Sequence, residues 1–193
     1  GNPADPGIIG AVDIWQVAGI GGGSTTYLAN LPQPNAARYV AFSPDNLYLA
    51  VMDMNNIRLY ETVGWSTALD LPVGTQGSGL AFVPTLTDTS TRLLYGSGSN
   101  LVIWDLFAGR SQVASIAADA NATITHIAPH PFGDLAAVVA RSSGLTMLAI
   151  VDINNATVLY RENYPDNINS IAFDTAGYFL FVSNAGGNVS VYR

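Results

Sequence analysis

The sequence has no cysteine, which removes disulfides, thiol nucleophiles and cysteine-ligated zinc or iron–sulfur centres together. It also has no lysine. Arg38, Arg58, Arg92, Arg110, Arg141, Arg161 and Arg193 carry all the fixed side-chain positive charge against fourteen carboxylates, for a formal charge of -7. Binders of DNA, RNA or anionic membranes gather basic side chains into a stripe that displaces counterions, and these arginines are scattered. No nucleic-acid or membrane partner is expected. Charge of either sign is sparse, at 11% of residues, with Gly, Ser, Thr and Asn supplying much of the polarity. No apolar run reaches the roughly 18–20 residues that cross a bilayer, and the first residues lack the basic-then-apolar order of a signal peptide. The chain reads as soluble, and its start at Gly1 fits the removal of a leader or a larger upstream part.

What is present is a repeat. Val40-Ala-Phe-Ser-Pro-Asp-Asn-Leu-Tyr-Leu-Ala-Val51, Ile127-Ala-Pro-His-Pro-Phe-Gly-Asp-Leu-Ala-Ala-Val138 and Ile171-Ala-Phe-Asp-Thr-Ala-Gly-Tyr-Phe-Leu-Phe-Val182 align without gaps. A fourth copy starts at Leu80-Ala-Phe-Val-Pro84, takes a longer turn, and resumes at Arg92-Leu-Leu-Tyr95. Each copy predicts a strand, a tight polar turn and a second strand. Pro44 presets φ in its turn, while Asp45-Asn46, Gly133 and Gly177 suit positions needing local side-chain bonding or positive φ. A third strand follows each pair at Ile57–Glu61, Leu101–Asp105, Leu148–Asp152 and Val189–Arg193, with a fifth such strand at Val12–Gln16. From Trp15 through Tyr60, Trp104 and Val151 to Tyr192 the steps are 45, 44, 47 and 41 residues, the length of a four-stranded blade. Weaker, more polar outer strands are expected at Thr25–Leu31, Ser66–Leu71, Gln112–Ile116 and Thr157–Tyr160.

The expected fold is therefore all-β, a single β-propeller domain over 1–193 with four to five four-stranded antiparallel blades. A partial blade is placed at 8–36, and blades at approximately 37–76, 77–122, 123–166 and 167–193. With no outer strand after Arg193, closure is expected from an N-terminal clasp, Thr25–Leu31 or Ile8–Trp15; otherwise the chain is a fragment of a larger propeller. Phe42-Ser-Pro-Asp45 and Ile103-Trp-Asp105 resemble the signatures of WD-repeat propellers, without the Gly-His pair that usually opens a WD repeat. Phe181-Val-Ser-Asn184 through Val189-Ser-Val191 is similar to the YVTN-type repeat of surface-layer and lactonase-like proteins. Tyr60-Glu-Thr-Val-Gly-Trp65 is similar to repeats in tail and virion proteins of bacteriophages.

Candidate chemistry is sparse. His126 and His130 have a His-x-x-x-His spacing that would share a metal on a helix, but on a strand they stand about 13 Å apart. They read as turn or channel-mouth residues that could contribute to binding. Asp53-Met-Asn-Asn56 and Asp152-Ile-Asn-Asn155 place a carboxylate beside asparagines as calcium loops do, without an EF-hand's later ligands, so hairpin turns are expected. Gly21-Gly-Gly-Ser24 lacks the Gly-Lys-Ser/Thr of a phosphate cradle, and Gly96-Ser-Gly-Ser99 does not match a hydrolase elbow. The resemblance to lactonase-like propellers implies acidic residues gathered at a central channel. Asp45, Asp134 and Asp174 are the candidates, assigned to equivalent positions in first-to-second-strand turns. Asn121, Asn155 and Asn188 head glycosylation-type triplets. Trp15, Tyr60, Trp104 and Tyr192 share one repeat position and should pack between blades. Trp65 departs from it, and is the first choice for an exposed contact residue.

These readings favour a non-catalytic interaction or structural module, with no cofactor or metal, in a virion or an extracellular assembly. Its partners would be proteins or further copies of itself, with glycan as an option. The alternatives are a lactonase-type or glycan-processing propeller enzyme and a glycan- or receptor-binding module.

Overall fold

Repeated turn chemistry yields repeated hairpins. In the computed structural model, residues 10–17, 24–74, 77–84, 91–106, 108–117, 119 and 121–193 are described. The amides of Asn46, Gly133 and Gly177 donate to the carbonyls of Ser43, His130 and Asp174 at 2.9, 2.9 and 3.0 Å. The same three residues have φ of 60°, 76° and 72°, the left-handed conformation that glycine and asparagine accept most readily. Each turn is closed by a further bond, from Ser43, His130 and Asp174 to the carbonyls of Tyr48, Leu135 and Phe179.

The chain begins with a hairpin of β1 (Gly10–Val17) and β2 (Thr25–Gln33). A first blade follows, with β3 (Tyr39–Phe42), β4 (Tyr48–Met52), β5 (Asn56–Glu61) and β6 (Thr67–Pro72). The second holds β7 (Gly77–Phe82), β8 (Arg92–Ser97), β9 (Asn100–Asp105) and β10 (Arg110–Ser115). The third holds β11 (Thr123–Pro129), β12 (Leu135–Ser142), β13 (Leu145–Asp152) and β14 (Thr157–Tyr164), and the fourth β15 (Ile168–Phe173), β16 (Leu180–Asn184) and β17 (Val189–Tyr192). Strands pair in sequence order, giving three four-stranded sheets, one of three strands and one of two. The first strands touch in succession, β3 with β7, β7 with β11 and β11 with β15, as the blades of a β-propeller do.

Three apolar layers hold consecutive blades together. Ala50, Met52, Ile57 and Leu59 meet Phe82, Leu93, Tyr95 and Val102 between the first and second. Leu94, Leu101, Ile103 and Ile116 meet Ala136, Val138, Ala149 and Val151 between the second and third. Ala137, Val139 and Leu148 meet Ile168, Ile171, Leu180 and Val182 between the third and fourth. The third blade's β12 presents alanine and valine on both faces, so larger side chains approach from either neighbour at native packing density.

The two-stranded sheet packs on the first blade, with Leu31, Val12, Ile14 and Ala29 against Leu49, Val51 and Tyr60. It does not act as a clasp. β2 pairs with β1 through eight residue pairs and leaves β15–β17 a three-stranded sheet, because the apolar face of β1–β2 is already buried on the first blade. Ile8 and Ile9, the start of the second candidate clasp, lie outside the described residues, as do the three glycines of Gly21-Gly-Gly-Ser24.

A shared irregularity marks β1, β5 and β13, whereas β9 pairs with β10 without a shift. The register shifts between Ile14 and Trp15, between Leu59 and Tyr60, and between Ile150 and Val151, always at the same repeat position. A bulge there increases local twist and turns the following residue. Tyr60 is buried, and Trp104 and Tyr192 pack partly against inter-blade clusters. Trp15 departs from the expectation: it is 55% exposed and meets Tyr27 edge-on at 5.2 Å. The two-stranded sheet has no blade against its far side among the described elements that would enclose it.

Candidate functional site

A blade's downstream face, which meets the next blade, carries apolar side chains from the middle strands. In β4 and β12 one such position is Ala50 and Ala137, and both are fully buried. Its aligned counterpart in β16 is Phe181, which is 40% exposed. On the third strand the positions of Ile57, Leu101 and Leu148, at most 1% exposed, are matched by Val189 at 64%. Those of Leu59 and Ile103, each 4% exposed, are matched by Val191 at 55%. Phe181 pairs across the sheet with Ala172 on one side and Val191 on the other, so the exposed residues form one continuous row. The upstream end is also part-covered. β1–β2 shields the middle of the first blade, while Val40 and Phe42 on β3 remain exposed; at the same repeat positions Ile171 and Phe82 are buried and Leu80, Ile127, Pro129 and Phe173 are partly buried. Apolar residues set side by side on a surface are the mark of an interface.

A second feature is a groove of about 250 Å³ between the third and fourth blades. Leu135, Leu148, Ile150, Phe173 and Leu180 form its apolar bed. His130 stands at its edge, 8% exposed, with Nε2 donating to the Gly177 carbonyl at 3.0 Å. Its Nδ1 lies 3.3 Å from the Phe132 amide and 3.1 Å from the Asp134 carboxylate, and Phe173 and Phe132 meet the ring edge-on. Beside the groove, Tyr160 and Tyr192 donate their hydroxyls to Glu162 at 3.0 and 2.8 Å, and Tyr192 also meets the Tyr164 hydroxyl. Burial first, and then these two partners, push the Tyr192 hydroxyl well above its ordinary range, so it stays protonated.

His126 lies apart from this groove, half-buried on β11, with Nδ1 3.0 Å from the Thr125 hydroxyl. Burial holds its imidazole below the ordinary value of 6.5; a carbonyl bond at Asn169 opposes this and the Arg141 charge adds to it. The unfolded chain therefore binds this proton more tightly than the folded one, and stability should fall as pH drops through 6.5, with no contribution from this group above it. Urea titrations between about pH 7.5 and pH 5 should show a flatter pH dependence for His126→Gln than for the native chain. Equal slopes would reject this linkage.

The three aspartates do not form a site. They are not at equivalent positions either, which corrects the sequence reading: the shared turn position is held by Ser43, His130 and Asp174. Asp45 binds the Ser43 hydroxyl and the Leu47 amide, Asp174 accepts from the Phe179 amide, and Asp134 faces His130. Asp53 is buried and accepts the amides of Asn55 and Asn56, and Asp152 accepts those of Asn154 and Asn155, so both cap hairpins. Among the described residues no group of three or more His, Asp or Glu is placed to hold a metal ion. Asn121, Asn155 and Asn188 are exposed. Trp65 is only partly exposed, contrary to expectation. A positive φ of 58° after Gly64 turns its ring back onto the cluster around Leu31 and Tyr60.

No protein-family model and no curated protein matches this sequence. Solved structures do. Hydrazine synthase of Kuenenia stuttgartiensis superposes with a TM-score of 0.69 at 12% identity, over 82% of this chain and 46% of that one. Hsv2 of Kluyveromyces lactis superposes with a TM-score of 0.70 at 12% identity, over 87% of this chain and 52% of that one. Both are β-propeller proteins, and at this identity the likeness establishes the fold. The chain spans about half the length of each.

Proposed function

We propose that this chain is a non-catalytic interaction and structural module that works in a protein assembly, in a virion or at an extracellular surface, with WD-like repeats of the kind found in phage particles. The observation that carries the reading is the row of Phe181, Val189 and Val191, exposed where the same repeat positions are otherwise core. The turn-capping roles of Asp45 and Asp174 support a scaffold rather than an acidic catalytic cluster. The occupant of the row is a second copy of the chain. The downstream face of the fourth blade and the exposed Val40 and Phe42 of the first are apolar surfaces at opposite ends of the run of blades, so copies join head to tail beside the β1–β2 hairpin that covers the middle of the first blade.

Size-exclusion chromatography with light scattering tests this directly. The native chain should run as an oligomer, and Phe181→Asp or Val40→Asp should each disperse it. Mixing the two variants should restore a one-to-one dimer, since each retains one intact end. A monomeric native chain, or a mixture that stays monomeric, would reject the proposal.

A further inference from the structure

The groove between the third and fourth blades differs from a polar surface cleft in how its polar groups are used. His130 spends Nε2 on the Gly177 carbonyl, and Tyr160 and Tyr192 spend their hydroxyls on Glu162. What remains is an apolar bed with one cation beside it. Arg193 lines the groove, and its guanidinium makes no ion pair or side-chain hydrogen bond with another described residue.

We infer that this groove binds a small carboxylic acid with an aromatic or compact aliphatic body. The body lies between Ile150, Phe173 and Leu180, flanked by the rings of Tyr160 and Tyr178, and the carboxylate meets Arg193. Size supports the class: an apolar cavity of about 150 Å³ accepts benzene, so the 250 Å³ here accommodates a ring with a short chain. Arg193 favours the acid over an amine, because arginine has no acceptor and binds carboxylate through paired donors, while the Glu162 carboxylate beside the groove is already taken up by the Tyr160 and Tyr192 hydroxyls. The His130 ring and the Tyr160 and Tyr192 hydroxyls are already bonded, so a strongly hydroxylated ligand such as a sugar would lose hydration on the bed with little recovered. The bed of this site lies on the face of the fourth blade opposite the exposed row.

The test is titration of the full chain with 3-phenylpropanoate and, in parallel, with its neutral amide, followed by calorimetry or by NMR shifts of the tyrosine rings. The acid should bind saturably and at least tenfold tighter than the amide. Arg193→Gln should reduce the acid to the level of the amide and leave the amide unchanged. Ile150→Phe should abolish both by filling the bed; circular dichroism checks its fold, and the arginine comparison stands without it. Absence of saturable acid binding, equal affinity for acid and amide, or undiminished acid binding by Arg193→Gln would each overturn the inference.

Discussion

Replacing Leu94 with alanine should lower the free energy of unfolding by about 2–5 kcal/mol, the range measured for leucines deleted from packed interiors. Leu94 has no exposed surface and lies in the layer between the second and third blades. Much of the facing surface is alanine, at 136, 140 and 149, whose short side chains have no rotamer with which to reach into the space left behind. Collapse is therefore limited, and the cost should fall in the upper half of that range. At this chain length each kcal/mol corresponds to roughly 2–4 °C in melting temperature. Urea denaturation measures the effect, and a loss below about 1 kcal/mol would show that this layer closes around the void.

Gly133→Ala should be costly for two separable reasons. With φ at 76° any side chain is strained, and a Cβ built there clashes with the Pro84 carbonyl oxygen of the preceding blade. Gly64 supplies the control: its φ is 82°, but nothing lies within 4 Å of the added atom. Gly64→Ala should cost about 1 kcal/mol from backbone strain, whereas Gly133→Ala should exceed it by about 2 kcal/mol or more, since backbone in the second blade has to move. Equal losses would mean that the backbone at Pro84 yields freely.

The parts of this molecule that read directly from sequence are those governed by local chemistry. Asn46, Gly133 and Gly177 announced left-handed turns because few other residues tolerate that conformation, and the turns fixed the phase of the flanking strands. The segments expected as outer strands fall on β2, β6, β10 and β14. What depended on distant neighbours was hidden. Trp65 stood out as a departure from the repeat, yet its ring is partly covered by a cluster that includes Leu31, more than thirty residues earlier. The groove at His130 needs Gly177 and Tyr192 from another blade. Phe181, Val189 and Val191 carry the pattern of core residues, so their exposure is legible only after the sheets are placed. The aspartates misled because the turn register was counted from residue type; Ser43 and Asp174 perform one capping task with different side chains.

Each blade touches chiefly the blade before it and the blade after it, through the three layers described, so stability is distributed as a sum of nearest-neighbour contacts. An interior blade has two such contacts and the fourth blade has one. Opening therefore costs least at the two ends, the β1–β2 hairpin and the fourth blade, and proceeds inward, and a molecule docked on Phe181 and Val191 would raise the protection of its end of the arc by holding the fourth blade in place.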